Sequence, residues 1–246
     1  MLTHRAALRT PPRKVQLNTM FRKSTGVTIL GGGDAERETI AIAQRAAPFL
    51  VCADGGANLA LRLGLEPDLI IGDLDSISPD AVQHFGQERL VEIDEQETTD
   101  FDKCVRSLAA PFFVAVGVTA PRIDHAMASL NVLIRHGDRK VMVLTDADVC
   151  FPAPPRLSLS LPVGSRLSLF PLSETTGVSR GLKWPIDGLN LSPTGLIATS
   201  NETDDSHVLL EFAAPGMVII MPVRFLSAAL HAFLQAPVWK EQPDES

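Results

Sequence analysis

Between Val27 and Asp146 short apolar runs alternate with stretches of helical periodicity. Val27-Thr28-Ile29-Leu30 is a β-branched run closed by Gly31-Gly32-Gly33, and Asp34 is placed as the N-cap of a helix through about Ala47. Phe49 to Ala53 reads as a second strand that delivers Asp54-Gly55-Gly56, followed by a short helix that stops at Gly64. Leu69 to Ile71 is a third strand, Pro79 starts a brief helix, and Leu90 to Ile93 is a weaker strand. Thr99 is positioned to cap a helix reaching Ala110, with Asp102 as the return partner of a capping box. Phe112 to Val116 is fully apolar, Arg122 to His136 is a helix, and Lys140 to Leu144 is the last strand of this half. Unbroken apolar strands separated by helices imply a parallel sheet covered on both faces.

After Cys150 the pattern changes. Pro152, Pro154 and Pro155 make a linker, and short runs then recur about every ten residues between turn residues. These are Leu157 to Leu161, Arg166 to Phe170, Gly181 to Pro185, Gly195 to Glu202, Val208 to Phe212 and Met217 to Met221, which together predict a small all-β sandwich. Trp184 is read as one of its core residues in preference to a stacking partner. Phe225 to Leu234 is one amphipathic helix.

The expected architecture is α/β: a parallel-sheet, Rossmann-like N-terminal domain over residues 25–150, then a β-sandwich with its C-terminal helix over 156–236. A basic leader spans 1–24 and a frayed tail 237–246. The leader has Arg5, Arg9, Arg13, Lys14, Arg22 and Lys23 and no acid. A disordered extension is the preferred reading of it, and a transit peptide the other; a secretory signal would need an apolar segment.

Composition narrows the classes. With 246 residues, 45% of them apolar, the chain can build one large core or two smaller ones. A formal net charge of −7 argues against a nucleic-acid partner. Cys52, Cys104 and Cys150 are scattered without a C-x-x-C pair, which suits a reducing cytoplasm. No apolar run is long enough to span a bilayer.

The candidate chemistry sits just after the strands, where ligands of parallel sheets bind. If the loops after Ile71 and before Phe101 open on one edge, Asp73, Asp75 and Asp100 converge. Each close pair would cost on the order of 4 kcal/mol at an effective dielectric near 20. A hard divalent cation such as Mg²⁺ removes that cost, and oxygen-only ligands favour it over zinc. Other signals are weaker alone. Gly31-Gly32-Gly33 can receive a phosphate at a helix start or be a plain tight turn. Asp73-Leu74-Asp75 resembles the opening of aspartate-nucleophile phosphatases, although Ile77 stands where those have Thr or Val. Asp100 and Asp102 suit a helix N-terminus electrostatically, and Arg122, Asp124 and His125 can be an ordinary helix start.

Together the segments resemble the thiamine pyrophosphokinase family over Val27 to about Met221. The matching motifs are Ala53-Asp54-Gly55-Gly56-Ala57, Pro67 to Ser76, Gln96-Glu97-Thr98-Thr99-Asp100-Phe101-Asp102-Lys103, Arg122-Ile123-Asp124-His125 continuing to Asn131, Gly181 to Pro185 and Thr199-Ser200-Asn201-Glu202. Ala120-Pro121 departs from the paired glycines of the family, and the terminal helix is an addition. The resemblance implies a cytoplasmic enzyme that moves the diphosphoryl group of ATP to the hydroxyl of thiamine, giving thiamine diphosphate and AMP. It implies Mg²⁺ on Asp73, Asp75 and Asp100. It further implies phosphate neutralisation by Lys103 and Arg122, nucleotide contacts from Asp54, Gly55, Gly56, Arg122, Asp124 and His125, and thiamine contacts from Gln96, Thr99, Ser200 and Asn201. Asp100 is the preferred acceptor of the alcohol proton. Members of the family are homodimers with thiamine between the catalytic domain of one subunit and the β domain of the other. The rival readings are a nucleotide-binding regulator without catalysis and a Mg²⁺-dependent phosphatase.

Overall fold

The computed structural model describes residues 13–14, 21–119 and 122–239. Its first half contains β1 (Arg13–Lys14), β2 (Phe21–Arg22), β3 (Val27–Leu30), α1 (Arg37–Ala46), β4 (Phe49–Ala53), α2 (Gly56–Leu63), β5 (Leu69–Gly72), α3 (Pro79–Phe85), β6 (Leu90–Glu92), α4 (Asp100–Ser107), β7 (Leu108–Ala109), β8 (Phe113–Val116), α5 (Ile123–Arg135) and β9 (Val141–Leu144). Strands β1, β6, β5, β4, β3, β8 and β9 lie side by side in that order, and every ladder between them is parallel. Successive residues along each buried strand face opposite sides of the sheet. Leu50, Cys52, Val114 and Val116 face the side covered by α1, α2 and α3, whereas Val51, Ala53, Phe113 and Ala115 face α4 and α5. That is why these strands read as continuous apolar runs.

The order turns on β3. The chain proceeds outward from it through β4, β5 and β6, then returns to its other side with β8 and β9. Connections therefore diverge at the carboxyl ends of β3 and β8, and a crevice opens there.

The second half contains β10 (Asp148–Pro152), β11 (Arg156–Ser160), β12 (Arg166–Pro171), β13 (Thr175–Arg180), β14 (Asn190–Leu191), β15 (Ala198–Glu202), β16 (His207–Phe212), β17 (Met217–Pro222) and α6 (Leu226–Gln235). β10 pairs antiparallel with both β9 and β17, so the large sheet continues through β10, β17, β12 and β15. β11, β16, β13 and β14 form a second sheet. Alternation along β11 buries Leu157 and Leu159 and exposes Ser158 and Ser160. The core these leucines join is continuous with the one beneath α1 to α3. α6 packs on β11, with the rings of Phe233 and Phe151 5.1 Å apart.

Several local expectations change. Pro152 is not linker: it ends β10, where a residue without an N–H can close a strand. Gly181 to Pro185 is a loop after β13, with Gly181 in the left-handed region at φ 75°. Trp184 in that loop is 54% exposed, so it is not a core residue. Asp34 does not cap α1; the Asp146 carboxylate, arriving after β9, accepts the Glu36 N–H at 3.1 Å and the Thr39 hydroxyl. α4 ends at Ser107 rather than Ala110. The leader is not unstructured throughout, because Phe21 and Arg22 pair with Leu108 and Ala109, and Arg13 and Lys14 with Val91 and Glu92. The rest of residues 1–20, and the tail from 240, lie outside the described residues. Among those described, no helix is long and apolar enough to cross a membrane.

Candidate active site

The crevice predicted by the strand order holds a cleft of about 400 Å³. Gly31, Gly32 and Gly33 form its floor, with Gly55 and Asn58 on one wall and Gly117, Arg122 and His125 on the other. Two of these walls approach so closely that only glycine fits. A Cβ on Gly56 would lie 2.0 Å from the Leu30 carbonyl oxygen, and one on Gly31 would lie 2.4 Å from that of Gly117. The Gly31 and Gly33 N–H groups donate to Val116 and Gly117, each at 2.8 Å, which fixes the turn against β8.

Carboxylates gather just beyond the carboxyl ends of β4 and β5, beside the cleft that Ala53, Gly55, Ser76 and Asp100 line. Oxygens of Asp54, Asp73 and Asp75 come within 4.8 Å of one another. This differs from the expected trio: Asp54 stands in the group where Asp100 was placed. Asp54 is 2% exposed and has a positive φ of 39°, a costly conformation for a residue with a side chain. Its Oδ2 accepts the Ser76 N–H at 3.1 Å, whereas its Oδ1 is buried with no hydrogen-bond partner. Burial, then the charges of Asp100 and Asp73, push its pKa up to about 6 against the opposing Ser76 hydrogen bond.

Asp100, the first residue of α4, is tied instead to Lys103. The Lys103 ammonium, 1% exposed, donates to Asp100 Oδ1 at 2.9 Å and to Asp73 Oδ2 at 3.2 Å. Burial acts to lower the lysine pKa, but the Asp100 hydrogen bond and the two charges outweigh it and hold the pKa above its ordinary value. For Asp100 burial prevails and its pKa is raised despite Lys103. For Asp73, which also accepts from Gln96 Nε2 at 3.0 Å, the hydrogen bonds prevail over burial and its pKa is lowered. Gln96, expected at thiamine, therefore touches the acidic group directly.

Two carboxylates thus hold one ammonium, Asp54 and Asp75 gather beside Asp73, and the orphaned Oδ1 of Asp54 leaves a polar atom in need of a partner. Oxygen ligands of this kind fit a hard divalent cation.

The remaining candidates fall into two sets. Thr99 is the N-cap of α4, its hydroxyl accepting from the Asp102 N–H at 3.3 Å, and it lines the cleft. Arg122 forms an exposed forked pair with Asp124, at 3.1 Å through Nε and 2.5 Å through Nη2; Arg122 and His125 line the cleft. Ala120-Pro121, the departure from the family pattern, lies outside the described residues. Ser200 and Asn201, by contrast, do not line the cleft of this chain. Ser200 has a φ of 58° and donates its N–H to Ser168 Oγ at 2.9 Å. Asn201 is 4% exposed, and its amide is occupied by backbone: Nδ2 donates to Trp184 O at 2.7 Å, and Oδ1 accepts from the N–H groups of Trp184 and Glu202. It holds the Trp184 loop.

Sequence reasoning missed Asn58, Arg62 and Ser129, which line the cleft. Asn58 clamps the Asp73 loop, donating to Ser76 O and accepting from the Ser78 N–H, each at 2.8 Å. Its place on the first turn after Gly55-Gly56 was the available signal. Asp102 is also corrected. It does not reach back to Thr99; its fully buried carboxylate accepts from His136 Nε2 at 2.7 Å and meets Arg106 Nε at 2.7 Å and Arg135 Nη1 at 3.6 Å. Burial acts to raise its pKa, but His136 and the two guanidiniums overcome this and hold it low.

Comparison with known proteins identifies the family. The family model described as "Thiamin pyrophosphokinase, catalytic domain" matches residues 42–144, and "Thiamin pyrophosphokinase, vitamin B1 binding domain" matches 157–215. The chain is 30% identical over 192 residues to Thiamine pyrophosphokinase 1 of Oryza sativa subsp. japonica, covering 64% of this chain and 73% of that one. It is 31% identical over 200 residues to Thiamin pyrophosphokinase 1 of Caenorhabditis elegans, covering 71% and 82%. Among solved structures, thiamin pyrophosphokinase from Candida albicans superposes with a TM-score of 0.68 at 18% identity, covering 88% of this chain and 96% of that one. The yeast structure does so at 0.67 and 19%, covering 91% and 95%. At such identities the structures speak for the fold.

Proposed function

This chain belongs to the thiamine pyrophosphokinase family and carries that enzyme activity, and from that premise we propose how its residues serve the transfer of a diphosphoryl group from ATP to the hydroxyl of thiamine, giving thiamine diphosphate and AMP. The observation that carries the assignment of the site is the unpartnered Asp54 Oδ1 among three carboxylates at the edge of the strand-order crevice. Neither a regulator nor a phosphatase finds support among the relatives.

Asp54, Asp73 and Asp75 would hold Mg²⁺, which when bound neutralises charge on the phosphate oxygens. Lys103 keeps Asp73 and Asp100 in place as the substrate enters. Asp100 is assigned to take the alcohol proton, since its raised pKa improves its match to that task. The N–H groups at the Gly55-Gly56 turn open α2 and suit phosphate oxygens. Arg122 and His125 face the nucleotide from the other wall. Ser200 and the exposed Trp184 lie off the cleft, so in this reading a second copy of the chain presents them to thiamine across a homodimer interface. The architecture is then a Rossmann-like catalytic half joined to a β-sandwich half, in a cytoplasmic enzyme.

Incubation with ATP, Mg²⁺ and thiamine, followed by chromatography, should yield thiamine diphosphate and AMP in equal amounts. Inorganic phosphate released without thiamine would indicate a phosphatase, and ATP binding without product a regulator.

A further inference from the structure

Arg106, outside the cleft, braces two segments that converge on Asp73. It sits in the last turn of α4, where its Nε lies 2.7 Å from Asp102 Oδ2. Its Nη2 donates to Glu95 Oε1 at 2.9 Å and to the Thr98 hydroxyl oxygen at 2.7 Å, both in the loop before the helix. The Thr98 hydroxyl donates in turn to Glu95. The same loop carries Gln96 and the same helix carries Lys103, and these two side chains donate to one oxygen, Asp73 Oδ2, at 3.0 and 3.2 Å. A single guanidinium therefore fixes the spacing between the two donors that orient this carboxylate. His136, bonded to Asp102 at 2.7 Å, ties the brace to the end of α5.

We propose that Arg106 is a positioning residue for the transfer reaction, acting through Gln96 and Lys103 on the orientation of the Asp73 carboxylate. This inference rests on the reaction assigned above. The guanidinium meets partners from two sides, with Nη2 hydrogen-bonded to Glu95 and Thr98 while Nε makes a close ion pair with Asp102 in which neither atom is aligned for a hydrogen bond; a lysine at this position keeps the charge but cannot span them. The Asp102 carboxylate that Arg106 meets is fully buried, so Arg106 also supports stability, and its positioning role is separated from that support by reading kinetics and metal binding beside the melting temperature.

The test compares Arg106→Lys and Thr98→Val with the unaltered protein, using thermal melting, steady-state kinetics and Mn²⁺ binding followed by electron paramagnetic resonance. Arg106→Lys should lower kcat and weaken Mn²⁺ binding by about 10-fold each, the range for groups that orient ligands, with the KM for thiamine unchanged. Thr98→Val, which keeps the guanidinium and removes only its loop partner, should shift both in the same direction by a smaller factor at an unchanged melting temperature. Wild-type kcat and Mn²⁺ binding in both variants would overturn the proposal, as would a loss in Arg106→Lys that tracks its melting temperature while Thr98→Val behaves as wild type. Should the unaltered protein form no AMP with thiamine, the reaction assignment fails, and the Mn²⁺ comparison still judges the brace.

Discussion

Asp54 occupies the space that a side chain on Gly72 would need: a Cβ there would lie 2.6 Å from the Asp54 Cβ and 3.1 Å from Asp100 Oδ1. The glycine that ends β5 therefore admits the carboxylate delivered by the neighbouring strand. Gly72→Ala should destabilise the fold by about 1–3 kcal/mol through overpacking. It should also lower kcat by about 10-fold or more by displacing Asp54. Chemical denaturation and steady-state rates check both, and a fully active Gly72→Ala protein would show that Asp54 has no fixed place in the reaction.

Asp73 receives both Lys103 and Gln96, so its charge is matched to the site and not merely tolerated there. Asp73→Asn should reduce turnover at least about a hundredfold, roughly 2.7 kcal/mol. Circular dichroism should remain that of the wild type. Near-normal turnover would remove Asp73 from the assigned machinery.

Acidity at Asp54 gives a pH dependence of defined sign. Its folded-state pKa is raised to about 6, so the folded chain holds this proton more tightly than the unfolded chain. The contribution favours folding below the ordinary carboxylate pKa and is lost as pH rises through about 6. Asp54→Asn should therefore raise the melting temperature at pH 8 by roughly 5 °C without added metal, and the gain should vanish near pH 4. Divalent cations require the ionised form, so Mn²⁺ affinity measured between pH 5 and 8 should fall as pH drops through about 6. A flat profile would contradict the placement of Asp54 in the ion site.

Ser200 and Asn201 are adjacent yet should respond differently. Asn201→Ala leaves backbone groups of Trp184 and Glu202 without a partner and should cost about 1–3 kcal/mol, with faster amide exchange in 183–186. Ser200→Ala should melt like the wild type and raise the KM for thiamine alone. An equal change in the KM for ATP would reject its assignment to the acceptor.

The catalytic half was legible because its signals are local. Unbroken apolar runs, a glycine at the end of β5 and carboxylates just beyond strand ends specify a parallel sheet and its carboxyl edge without knowledge of any distant residue. Asp54 joined the acidic group unforeseen because only the juxtaposition of the β4 and β5 ends, permitted by Gly72, brings it there. The role of Asp102 was likewise hidden. Its spacing from Thr99 matches a capping box, but His136, 34 residues on, competes for the carboxylate and prevails. β10 escaped detection because Pro152 signals a break, and its pairing with β17 joins residues far apart in sequence. Trp184 was misplaced by a general preference for burying indole, whereas Asn201 holds its backbone in an exposed loop.

Because β10 is hydrogen-bonded to β9 on one side and to β17 on the other, the catalytic half and the half beyond it share a rigid spine with no pivot. Such an enzyme cannot clamp its substrates by swinging one lobe onto another. Entry and exit fall to the loops at the cleft mouth and to whatever neighbour closes over them, and turnover should be insensitive to cross-links placed between the two halves.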